Sequence, residues 1–280
     1  MRRFFFTFLK TLLFFSLWVV GILICSIPGV EEPPYIREYD ATLRLWWELT
    51  PLFATLLASM VMLVWVEKKK LRINLFRSPA RDVGLGLSLG IIWIGVALLA
   101  WGIGDNLRTG SMKSIPLFSV WLLAVLVNVI MQEWFVRGYL FQLIRKNGNT
   151  PVAIAITTLL FTGMHGGAFE AGIIPVINIV TMSIFVSLLL LYTGNLLAPI
   201  IAHFIWNAVG GLVTGTVSLA EDYPSLWNWT VSGSPLQSGG IAKLEGSIMV
   251  LVLNLLLITW MSWLLTSKIR RTGTIFPSTI

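Results

Sequence analysis

Eight apolar runs, most of them long enough to cross a bilayer, leave this chain few folds to choose from: residues 4–27, 45–66, 83–104, 115–144, 152–165, 173–192, 196–219 and 248–265. Lipid offers a backbone no hydrogen bonds, so a spanning segment must satisfy its own N–H and C=O groups as a helix or close into a barrel. The runs are continuous rather than alternating, which selects helices. With 56% of residues hydrophobic and only 12% charged, a soluble domain is excluded. The expected fold is all-α: a polytopic membrane protein of about eight transmembrane helices. Gly84, Gly86, Gly90 and Gly95 equip the third helix for close packing.

The formal net charge of +7 would suit a nucleic-acid binder, but the cations lie between the apolar runs, where they set orientation. No nucleic-acid partner is expected. With the N-terminus inside, Arg2, Arg3, Lys10, the basic stretch 68–81, Arg145, Lys146, Lys268, Arg270 and Arg271 all fall on the cytoplasmic side. Most acidic residues, including Glu31, Glu32, Glu38 and Asp40, are then outside, and both termini are cytoplasmic. The first run follows Met1-Arg2-Arg3, is long for a signal peptide and has no small-residue cleavage site after it, so it reads as a retained helix. The stretch 68–81 carries Leu75 and Phe76 among its cations and suits an anionic membrane surface. Cys25 is the only cysteine, which precludes an intrachain disulfide. The chain divides into 1–114, with three spans and a basic loop; 115–219, with the polar motifs; and 220–280, with an outer loop, the last span and a basic tail.

Charges at membrane depth cost about 3 kcal/mol each on insertion scales, so they persist where they pair or work. Glu133 and Arg137 stand four residues apart, on one face of a helix. His165 follows Phe161 by four, and His203 precedes Asn207 by four. A packing ion pair would account for the first two, and an interhelical hydrogen bond for either histidine alone. Counted along the helices, however, Glu133 lies roughly 16 Å deep, His165 about 20 Å, His203 about 12 Å and Asn207 about 18 Å. Costly side chains from three helices gather in one layer, as a site requires.

QEWFVRG, FTGMH and HFIWN resemble the three motifs of the CPBP family of intramembrane proteases, also called the CAAX protease and bacteriocin-processing or Abi family. Those motifs run Glu-Glu-x-x-x-Arg, Phe-x-x-x-His and His-x-x-x-Asn, and the resemblance covers about residues 115–219. It implies a membrane endopeptidase of metallo- or glutamate type. His165, His203 and Asn207 would position and polarise a water and stabilise the oxyanion, with Phe161 and Arg137 in support. Glu133 matches the second glutamate, as base or as the partner of Arg137. A zinc-type ion held by His165, His203 and Glu133 is the one cofactor left open, since it would itself lower the pKa of the water.

Gln132 stands where the family has its first glutamate. A carboxamide can hold a water but cannot take its proton. If position 132 is that of the base, Gln132→Glu should raise the rate by about 10²–10⁴-fold; if Glu133 is the base, it changes little. The resemblance implies hydrolysis of a peptide bond in a membrane-associated peptide or protein, and a compact chain with no targeting sequence points to an unprenylated one. The enzyme would be a multi-pass protein of a bacterial plasma membrane, with the bilayer as its other partner. The alternative, which Gln132 favours, is a non-catalytic relative that binds peptides as an immunity or scaffold protein.

Reporter fusions after Arg72, Lys146 and Arg271 should report cytoplasm, and fusions after Asp40 and Asp222 the opposite side. An exterior signal at Lys146 would break the eight-span arrangement.

Overall fold

A computed structural model describes residues 2–25, 40–102, 107–218 and 223–273. The acidic residues Glu31, Glu32 and Glu38 and the reporter position Asp222 lie outside the described residues. The helices are α1 (Arg2–Cys25), α2 (Ala41–Val61), α3 (Pro79–Gly102), α4 (Phe118–Glu133), α5 (Phe141–Asn147) and α6 (Thr150–Gly163). They continue with α7 (Gly166–Ala171), α8 (Ile173–Thr193), α9 (Leu197–Asn207), α10 (Pro235–Ser238) and α11 (Ile248–Thr272). Short π-helical stretches extend α2 (Met62–Val66), join α4 to α5 (Trp134–Leu140) and extend α9 (Ala208–Val213).

The protein is thus an all-α polytopic membrane protein. Six helices are long and apolar enough to cross a membrane: Arg2–Cys25, Ala41–Val66, Pro79–Gly102, Phe118–Asn147, Ile173–Thr193 and Ile248–Thr272. Thr150–Gly163 and Leu197–Val213 are apolar but shorter. The seventh run was expected to continue to residue 219, but its helix stops at Val213. Gly215 turns left-handed there at φ 71°, and the Thr214 hydroxyl donates back to the carbonyls of Val209 and Gly210. Among the described residues the strands are β1 (Leu107–Arg108) and β2 (Thr230–Val231), a two-residue antiparallel pair.

The chain forms two compact units, Met1–Ile73 with Pro116–Thr157 and Asn74–Ile115 with Thr158–Ile280. Their boundary falls inside α6 and so cuts through the 115–219 segment.

In the first unit α1 packs on α2 and α2 on α4. Gly21 sits against Ala54, where an added Cβ would come within 2.9 Å. Fully buried Phe14 packs on Phe135 and Tyr139, and the Trp18 indole N–H donates to Thr55 Oγ1. Glu67, past the end of α2, meets Lys10 of α1 and lies 3.7 Å from Lys146 of α5. The start of α1 and the ends of α2 and α5 therefore share a level, as alternating spans require.

In the second unit α3 packs on α9 and α8 on α11. Gly86 and Gly90 make the first contact possible: a Cβ at Gly90 would stand 2.7 Å from Ile205 Cβ and 3.1 Å from the Ala202 carbonyl oxygen. Gly84 and Gly95, expected to share this role, have nothing within 4 Å of an added Cβ and take no part in it. Asn195 anchors the start of α9: it donates to Asp82 at the start of α3 and accepts from the Leu197 N–H. Trp93 of α3 stacks on Trp206 of α9 at 4.3 Å and donates to Asn254 of α11. Arg81 and Lys268 both lie over the Tyr192 ring, which levels the start of α3 with the ends of α8 and α11. At the opposite end β1–β2 and the bond from the Lys113 N–H to the Leu226 carbonyl tie the connection after α3 to the 223–247 loop.

Overpacking of a tight core contact costs about 1–3 kcal/mol. Gly90→Ala should therefore lower the melting temperature in detergent by about 2 °C or more. Gly95→Ala, made into open space on the same helix, should leave it unchanged or slightly raised.

Candidate active site

The first motif lies in the first unit. Helix α4 ends at Glu133, and the next seven residues, Trp134–Leu140, run as π-helix. Such stretches recur at functional positions because they re-aim side chains within a continuous helix. Glu133 and Arg137 are fully buried, and Arg137 Nη1 donates to both carboxylate oxygens at 2.8 and 2.9 Å. Each charge is thereby compensated by a neighbour one turn away.

Gln132 is engaged elsewhere. Its Nε2 donates to Asn128 Oδ1 at 2.8 Å, and Asn128 Nδ2 donates to Glu48 Oε2 at 2.7 Å. The other oxygen of Glu48 meets Arg44 Nη2 at 2.6 Å. Adjacent residues thus belong to two separate polar sets, one local and one reaching across to α2. Glu48 and Asn128 belong to none of the three motifs. Asn128 was within reach of sequence, being four residues from Gln132 on one helix face; its pairing with Glu48, 80 residues away, was not.

The second and third motifs lie in the second unit. His165 was expected inside a helix, but α6 stops at Gly163. His165 instead precedes α7, so a helical depth count does not reach it. Its Nδ1 lies 2.7 Å from the Phe161 carbonyl oxygen. That oxygen can only accept, so Nδ1 carries the hydrogen and Nε2 is the lone-pair nitrogen of the neutral ring. Fully buried Phe161 lies 4.5 Å from the His165 ring and 5.9 Å from that of His203. Buried His203 has its Nε2 3.3 Å from Asn207 Nδ2, one turn along α9. The amide donates, so His203 Nε2 accepts.

The second unit therefore brings Phe161, His165, His203 and Asn207 together, and the first brings together Gln132 with its relay and Glu133 with Arg137. Among the described residues no three His, Cys, Asp or Glu side chains gather as metal donors. His203 Nε2, moreover, is already engaged by an amide.

Each unit thus encloses its own set of hydrogen-bonding side chains between helices. Residues 114–209 match the family model described as Rce1-like, type II CAAX prenyl endopeptidase Rce1-like. Over that span, which contains all three motifs, the chain is similar to the Rce1-like family, in keeping with the resemblance read from the motifs. No curated protein and no solved structure matches the chain.

A further carboxyl braces α9. Glu245 Oε1, in the loop before α11, accepts from the Trp206 indole N–H at 3.3 Å, and its backbone carbonyl accepts from Asn178 of α8. Burial pushes the Glu245 carboxyl up to about 7, against the lowering effect of the Trp206 and Ser218 hydrogen bonds and of Lys243. The same surroundings lower the Lys243 ammonium, burial outweighing Glu245.

Between about pH 4.5 and 7 the folded protein holds a proton on Glu245 that the unfolded chain has released. This contribution to stability is complete below the unfolded value and is lost as pH rises through the folded one. The melting temperature should fall from pH 5 to pH 8, and Glu245→Gln should flatten that slope. An unchanged slope in the variant would remove Glu245 as its source.

Proposed function

We propose that this protein is an intramembrane peptidase that hydrolyses a peptide bond of a membrane-associated peptide or protein. The observation that carries the reading is the pair His165 and His203 against Phe161, with Asn207 on His203, within the Rce1-like span. His165 Nε2 takes a proton from water, and the oxygen of that water attacks the scissile carbonyl carbon. The oxyanion is met by an amide hydrogen of Asn207, oriented by His203. His165 then returns the proton to the leaving amine, and the C–N bond breaks. Each contribution has a known scale, about 10²–10⁴-fold for proton transfer and about 10²–10³-fold for one oxyanion donor.

Within this reading Glu133 is the structural partner of Arg137, because both of its oxygens are engaged. Gln132 contributes as an acceptor rather than as a base. A second reading rests on Gln132 alone: a chain lacking the first glutamate binds peptides without cutting them.

Purified protein should cleave a lipid-anchored fluorogenic peptide, tested with and without a prenyl group. His165→Ala and His203→Ala should each lower the rate by about 10²-fold or more while the protein still accumulates in the membrane. Normal cleavage by both variants would end the hydrolase reading. Peptide binding without cleavage by the wild type would favour the second. The same assay with and without a chelator tests whether a metal ion takes part, loss of cleavage on chelation being the result that would replace the metal-free mechanism.

A further inference from the structure

We propose that Glu48 is a positioning residue for the candidate active site: through Asn128 it orients the carboxamide of Gln132, so that position 132 offers a hydrogen-bond acceptor. The inference rests on the peptidase reading for its role, but not for its geometry.

The argument follows the direction of the hydrogen bonds. A carboxylate can only accept. Glu48, ion-paired with Arg44, therefore requires the amide nitrogen of Asn128 at the 2.7 Å contact. This leaves the Asn128 oxygen to face Gln132, which must meet it with its own amide nitrogen, at 2.8 Å. One orientation at the carboxylate end fixes both amides. Gln132 Oε1 is then left as the last acceptor of the series, buried and without a partner. A buried acceptor without a partner is costly, so one at a site points to a ligand that supplies the donor. In a peptidase that donor is a backbone N–H of the bound peptide.

The relay changes the expectation for Gln132→Glu. A carboxylate at 132 would set acceptor against acceptor at Asn128 Oδ1. Flipping Asn128 only moves the conflict to Glu48. The missing carboxylate of the first motif is not simply replaceable while Glu48 holds this polarity.

Four full-length proteins test the relay: wild type, Glu48→Gln, Gln132→Glu and the double variant, each assayed for melting in detergent and for cleavage of the lipid-anchored peptide. In Glu48→Gln every hydrogen bond can reverse, Arg44 to the new amide oxygen and the new amide nitrogen to Asn128. Position 132 then presents its N–H₂. This variant should melt near wild type yet cleave about tenfold or more slowly. Gln132→Glu should melt about 3 °C or more lower. The double variant, with the reversed relay ending on a carboxylate, should regain both melting temperature and rate. A rise in KM for Glu48→Gln assigns the donor to the bound peptide, and an unchanged KM would overturn that assignment. Additive melting shifts, or wild-type kinetics in Glu48→Gln, would overturn the proposal. Non-additive melting in proteins that never cleave would end the peptidase reading and leave the Glu48 assignment standing.

Discussion

A charge surrounded by hydrocarbon has no solvent to fall back on, so its counter-group must come from the protein. The two carboxylates on this side of the chemistry meet that demand differently. Glu133 finds Arg137 one turn along its own helix, a solution contained in five residues of sequence. Glu48 finds Arg44 locally but spends its second oxygen on Asn128, which makes α2 and α4 polar partners as well as apolar ones. Removing one member of the fully buried Glu133–Arg137 pair would leave an uncompensated buried charge, worth about 3–5 kcal/mol. These residues consequently constrain the fold as strongly as any function they serve.

The second unit holds its polar groups by packing instead. Helix α9 is pinned at its start by Asn195, along its length by Gly86 and Gly90, and near its end by Trp206 between Trp93 and Glu245. His203 and Asn207 lie between these fixed points. A site built on an element held this way keeps its geometry without help from a ligand.

Much of this was legible in the sequence. Continuous apolar runs specify helices because lipid permits little else, and all eight expected runs contain one. The i, i+4 spacings of Glu133 with Arg137 and of His203 with Asn207 became direct contacts. Helix ends were less legible. FTGMH continues an apolar run in composition, yet Gly163 closes the helix before His165; residues up to 219 look equally spannable, yet a left-handed Gly215 ends the segment early. The four glycines of α3 look alike in sequence, and only the side that meets α9 separates Gly86 and Gly90 from Gly84 and Gly95. Glu48 was visible as a lone carboxylate, but nothing local could indicate Asn128 as its partner.

The π-helical stretch Trp134–Leu140 bears on how this chain can vary. On its N-terminal side α4 must keep Asn128 and Gln132 turned toward the Glu48 relay; on its C-terminal side α5 must keep Lys146 turned toward the Lys70 carbonyl, 2.9 Å away. The ladder inside the stretch closes over five residues rather than four, as in the bond from the Phe141 N–H to the Val136 carbonyl. It works as a phase adjuster, letting one continuous helix serve two sets of partners that a uniform α-helical phase would not. Loss of one residue there would rotate everything beyond it by about 100°. Side-chain identity in this segment is therefore open to exchange in a way that its length is not.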